Sequence, residues 1–248
     1  MSDPYAFSFE PLFLVLGAGV LVAYGRARPA PWWRVALFLL GLALVVVPVN
    51  SPLETIATER LLLVHLLQNV MLADWAPPLL ILGLTPAMRA AVARAGGRPL
   101  AVLTRPRVAL PVWLVGWYGI HWGLFYDFAL RHPLALAVEH LILLGIGLVF
   151  WWPVLAEEPQ RLAIPVKLAY LGAAFVASAF LGLAFIFSTS PFYDFYARAP
   201  RLWGLSAAKD QSLGGILMNG EQTVVFLAAL AYFLWRLLEE ENLAGANP

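Results

Sequence analysis

Three of the four histidines in this chain fall at one depth, near the same end of three different apolar segments. His65 lies about 6 Å inside the start of one segment, His121 about 8 Å before the end of the next, and His140 about 10 Å inside the start of the one after, at about 1.5 Å of rise per helical residue. Successive membrane spans alternate in direction, so a start, an end and a start share one face of the bilayer. Ionisable side chains inside a membrane are costly and mark sites. Imidazole suits copper, zinc, iron and nickel, and a thioether adds a preference for Cu(I). Met218 and Asp210, on one face of the last apolar segment, fall in the same half. The candidate metal ligands are therefore His65, His121 and His140, with Met218 as a further donor. The chain has no cysteine, so a metal would rest on His, Met, carboxylates or amides. No HExxH, no Ser-His-Asp pattern and no nucleotide loop is present, which leaves hydrolysis and phosphate chemistry without support. The expectation is a protein that is not an enzyme.

Each of these residues also has a purely structural reading. His65, Gln68 and Asn69 share one helical face, which would serve equally as an interhelical hydrogen-bonding patch. His121 sits among Trp113, Trp117, Tyr118, Trp122, Phe125 and Tyr126, an aromatic belt of the interfacial kind. His140 follows Glu139, and one of that pair must face the bundle or the headgroups. His132, just before Pro133, reads as a solvated loop or cap residue. Gly214 and Gly215 would let a neighbouring helix approach closely. Asp74 lies about 20 Å from the start of its span, where it can pair with an Arg, bond a broken backbone or carry a proton. Two histidines on separate helices could instead clamp a haem or belong to a quinone site, and a metal-free scaffold for other subunits is a third class.

The elements that must position these residues are membrane helices. The chain is 61% hydrophobic with 12% charged residues, about half of the roughly 25% usual in soluble domains, and its mean hydropathy is +0.77. A net charge of +1 offers no basic face for nucleic acid. Apolar runs bounded by Pro, Gly and charge predict an all-α, polytopic bundle of seven transmembrane helices in one domain, residues 1–248. The spans run from Phe9 to Tyr24, Trp32 to Val49, Leu61 to Leu84, Val108 to Tyr126, Pro133 to Trp152, Ile164 to Phe187 and Ala207 to Leu238. Pro133 at the first position and Ser206 as N-cap mark the starts of the fifth and seventh. Pro77 and Pro78 remove two backbone donors from the third, predicting a kink or break. The long segment from Thr85 to Arg107 reads as an Arg- and Ala-rich loop facing anionic lipid. With the N-terminus outside, 11 Lys and Arg lie on the inner side and 5 on the outer, which predicts an N-out, C-in orientation. No Lys or Arg precedes the first span, so it lacks a signal peptide's basic start and is expected to remain as an anchor.

Several stretches together resemble a known family. HLLQNVMLADWAPPLLILGLTP, from His65 to Pro86, is similar to the signature helix of the caa-type cytochrome c oxidase assembly factors, the CtaG family. EHLILLGIGLVFWWPVL, from Glu139 to Leu155, resembles that family's His-led segment ending in Trp-Trp-Pro. LSAAKDQSLGGILM, from Leu205 to Met218, resembles its Asp-Gln-x-x-x-Gly-x-x-Met element, and Ser188 to Tyr196 resembles the preceding Ser-x-x-Pro-x-Tyr-x-x-Tyr loop. The resemblance covers most of the chain from Ser51 to Met218. It implies a multi-pass protein of the bacterial plasma membrane, required for building a haem-copper oxidase and delivering or inserting copper on the outer side. The implied partners are oxidase subunits, a periplasmic copper chaperone and membrane lipid. Motif matching carries over His65, His140, Asp210 and Met218, whereas His121 enters from depth alone. Where the family pattern has a second His one turn after His65, this chain has Asn69, and amides are poor copper ligands. Asn219 likewise stands where the family has Trp after the Met.

Overall fold

The computed structural model describes residues 3–27 and 29–245. Arg28, counted above among the inner-side charges, lies outside the described residues. Helices account for the ordered backbone. They are α1 (Pro11–Arg26), α2 (Trp32–Val49), α3 (Pro52–Glu59), α4 (Leu62–Val70), a π-helical turn (Met71–Trp75), α5 (Ala76–Gly83), α6 (Pro86–Leu103), α7 (Pro106–Ile120), α8 (Gly123–Ala129), α9 (Pro133–Leu155), α10 (Ile164–Phe187), α11 (Asp194–Arg198) and α12 (Ala207–Gly245).

Among the described residues, five stretches are long and apolar enough to cross a membrane: Trp32–Val49, Leu62–Gly83, Pro133–Leu155, Ile164–Phe187 and Ala207–Leu243. The pair α7 and α8 makes a sixth if it is taken as one span bent by 68°. α1 is apolar but only 16 residues long, shorter than the roughly 20 that a 30 Å hydrocarbon core asks for. Of the seven expected spans, five therefore meet this test of length and composition, one is a bent pair and one is a short apolar helix. Large apolar side chains such as Val115, Phe180 and Val224 point outward and are exposed, as a lipid-facing surface requires.

Four differences from the sequence reading have physical causes. Pro77 and Pro78 cannot donate to the carbonyls of Ala73 and Asp74, and the third span does not break there. It widens one turn earlier into the π segment, where the Ala76 N–H reaches the Met71 carbonyl, so the prolines fall in the next helix's uncapped first turn. The fourth expected span ends as a helix at Ile120, with His121 at its C-cap, and turns before α8 begins. The segment read as a loop after Thr85 is helical: the Thr85 side chain accepts from the Met88 N–H, and the helix is interrupted at Gly97, whose φ of 52° is open mainly to glycine. The short helices α3 and α11, unforeseen as elements, cover the end of the bundle that carries the histidines.

Other signals act where they were expected. Pro133 stands in the first turn of α9 with His132 as N-cap residue, and the Ser206 hydroxyl accepts from the Lys209 N–H at the start of α12. Close helix approach relies on missing side chains. A Cβ on Gly214 would meet Leu66 of α4 at 2.7 Å, and one on Gly215 the Gly182 carbonyl of α10 at 2.7 Å. A Cβ on Gly147 of α9 would run into the Ala73 carbonyl and Pro77, so α9 lies directly on the π segment. Gly147→Ala is expected to cost about 1–3 kcal/mol through overpacking, whereas Gly145→Ala, with open space around it, gains up to about 1 kcal/mol from helix propensity. Thermal unfolding of the two variants in detergent, with midpoints moving in opposite directions, checks this.

Candidate functional site

α4 begins without a local cap: Leu61 has no side-chain acceptor for the free N–H groups of the first turn. Asp210 of α12 supplies it. Its two carboxylate oxygens accept from the Leu62 and Leu63 N–H groups, each at 2.9 Å. A carboxylate at a helix N-terminus satisfies orphan donors and complements the dipole. This clamp sets α4 against α12 and thereby fixes His65, one turn further along.

His65 is fully buried and joins four elements. Its Nδ1 lies 2.8 Å from the Tyr196 hydroxyl of α11, and that hydroxyl donates to the Ala57 carbonyl at 2.5 Å. The one Tyr196 proton is thus committed, so Tyr196 accepts and His65 Nδ1 carries a hydrogen. Burial raises the Tyr196 hydroxyl pKa well above its ordinary value, which keeps it protonated for this role. His65 Nε2 faces Glu139 Oε1 of α9 at 3.4 Å, an ion-pair distance without hydrogen-bond alignment. The His140 ring stands edge-on to His65 with centroids 5.9 Å apart, and Tyr126 lies 4.9 Å from His65 and 5.8 Å from His121.

His121 donates from Nδ1 to the Trp117 carbonyl one turn back, at 2.7 Å. A carbonyl can only accept, so this contact assigns the tautomer that leaves Nε2 with a lone pair. That Nε2 is buried and has no hydrogen-bond partner among the described residues, and the same holds for His140 Nε2. Orphaned polar atoms this deep are costly unless something meets them.

The structure thus gathers His65, His140, Glu139 and Tyr126, and sets His121 behind Tyr126. It does not bring the auxiliary groups to them. Both Asp210 oxygens are taken by the α4 cap, and Met218 packs in the apolar cluster with Leu66, Phe185 and Val70. Among the described residues no group of three or more His, Asp or Glu side chains is placed to hold a metal ion. The donor types suit copper, but a closed three-donor shell is absent. His132 is exposed at the start of α9, with Nδ1 2.8 Å from the Phe128 carbonyl.

Two members of the cluster escaped sequence reasoning. Tyr196 lies in the loop whose Tyr-x-x-Tyr pattern was noted without a role. Glu54, only 2% exposed, sits at the start of α3, where Ser51-x-x-Glu54 has capping-box spacing. The Ser51 hydroxyl does accept from Leu53, but the Glu54 carboxyl turns instead to the Gln68 amide at 2.9 Å, and Gln68 also donates to the Pro48 carbonyl. Mid-membrane, Asp74 accepts from Gln222 at 3.3 Å and the neighbouring Trp75 donates to Glu221 at 2.8 Å. Asp74 thus faces α12, with the Gln222 amide as a donor and the Glu221 carboxyl as a second hydrogen-bond partner.

The family model for the cytochrome c oxidase caa3 assembly factor matches residues 12–240. The chain belongs to that family. No curated protein and no solved structure matches it. The match spans nearly the whole helical bundle, including α4, α7 with its C-cap, and α9, and hence every histidine of the site. Membership makes the protein an assembly factor, not an enzyme, with cytochrome c oxidase subunits as its partners.

Two outcomes follow for this caa3 assembly factor. Asp210→Ala, which uncaps α4, is expected to lower stability by about 1–2 kcal/mol, read as a lower unfolding midpoint, with Asp210→Asn losing less. Glu54, outside the spans, has its pKa raised from 4.5 to about 7 by burial, against the opposing pull of His65 and the Gln68 bond. A buried acid with a raised pKa contributes stability that is complete below pH 4.5 and lost as pH climbs through about 7. Glu54→Gln keeps an amide partner for Gln68 and is expected to flatten the stability profile across that window, measured by unfolding at stepped pH.

Proposed function

We propose that this chain serves caa3-type oxidase maturation in a bacterial plasma membrane by carrying copper as cargo at the outer end of its bundle, between a periplasmic copper chaperone and an oxidase subunit. The observation behind this reading is the pair of buried imidazole nitrogens, His121 Nε2 and His140 Nε2, that have no hydrogen-bond partner. His121, His140 and, once parted from Glu139, His65 would hold the ion. An open set of imidazoles, without Asp210 or Met218, suits a carrier that must release what it takes. The excess of 11 Lys and Arg over 5 supports the N-out orientation that puts this end outside.

A metal-free scaffold is the second reading, and the absence of a three-donor group among the described residues favours it. Metal analysis of the purified protein after copper addition separates the two. On the copper reading the wild type retains copper, and His140→Ala or His121→Ala lowers affinity at least roughly tenfold and reduces copper in the assembled oxidase while the protein stays in the membrane. Equal copper retention and equal oxidase loading in both variants leaves the scaffold. A strong Soret band in the same sample would point to haem instead.

A further inference from the structure

The end of the bundle opposite the histidines holds a cavity of about 700 Å³ between α5, α6, α9, α10 and α12. Its rim carries four cations, Arg89, Arg161, Lys167 and Arg236, against two carboxylates, Glu157 and Glu240. The carboxylates do not cancel the cations. Arg161 and Glu157 meet at 4.0 Å in an exposed pair, worth little in water. Arg236 has Glu239 at 3.7 Å, yet its Nε makes no hydrogen bond. Lys167 Nζ rests 4.8 Å over the Phe233 ring, and Arg89 spends one N–H on the Leu155 carbonyl at 2.8 Å.

Two further features point the same way. The start of α10 opens on this cavity through Ala163 and Ile164 and has no side-chain cap, so the positive end of a 24-residue helix faces in. Trp151, 2% exposed, lines the cavity with an unpartnered indole N–H. Below the rim the wall becomes apolar, formed by Pro78, Leu82, Val225 and Ala229. Cations above and hydrocarbon below are the two halves of a phospholipid site, and basic pockets between transmembrane helices bind anionic headgroups.

We propose that this cavity binds an anionic phospholipid, its phosphate among Lys167, Arg236 and Arg89 and its acyl chains along the apolar wall. The chemistry recognised is a phosphate ester; the apolar wall selects the lipid over a free anion.

The test uses the full chain in neutral detergent, with bound lipid counted by native mass spectrometry. Phosphatidylglycerol is expected to be retained over phosphatidylcholine, and Lys167→Gln with Arg236→Gln to cut that preference roughly fivefold for each cation removed. Ala229→Trp keeps every charge but fills the cavity, and is expected to lose the lipid as well. A double variant that fails to fold leaves the Ala229→Trp arm to decide. Glycerol 3-phosphate and inorganic phosphate are the aqueous arms. Equal retention of the two lipids, unchanged retention in Ala229→Trp, or full competition by millimolar phosphate would overturn the proposal.

Discussion

The Asp210 carboxylate, bound to the first two N–H groups of α4, is the contact on which the arrangement of the histidine end depends. In a bilayer no water reaches a helix N-terminus buried inside the bundle, so its free donors need a protein acceptor. The N-cap residue of α4, Leu61, has no side-chain acceptor to offer. The acceptor therefore comes from a helix 148 residues further along the chain, and the cap doubles as a tie between the third and last spans. Gly214 allows the close approach that this tie requires. His65 then has a fixed address facing α9 and α11.

Around that address the polar groups account for one another's protons. Tyr196 gives its hydrogen to the Ala57 carbonyl and so accepts from His65. His65 Nε2 in turn faces Glu139 Oε1 of α9 at 3.4 Å. The Trp117 carbonyl sets the His121 tautomer in the same way. What the network leaves over, among the described residues, is the His121 Nε2 lone pair, buried and without a donor.

The depth coincidence of the three histidines was legible because helical rise is nearly constant and spans alternate in direction. Depth says nothing about azimuth, however, and azimuth decided membership. His65 and His140 meet edge-on, whereas His121, at the C-cap where the chain leaves its helix, stacks on Tyr126. Asp210 and Met218 share His65's depth and serve other purposes, a cap and a core. Glu54 and Tyr196 were opaque because they lie on short helices whose packing, not periodicity, turns them inward. The prolines at 77 and 78 announced a backbone defect, but only the packing of Gly147 against Ala73 shows why the defect takes the form of a widened turn and not a break.

Composition and apolar run length determined that this is an all-helical membrane protein, since nothing else keeps so much hydrocarbon out of water while satisfying its backbone. Motif order determined the family. The tertiary structure alone decided where the helices bend, which polar side chains meet, and which are spent on holding the bundle together. Those outcomes depend on the rotation of each helix about its axis and on acceptors supplied across more than a hundred residues, and no local pattern encodes either.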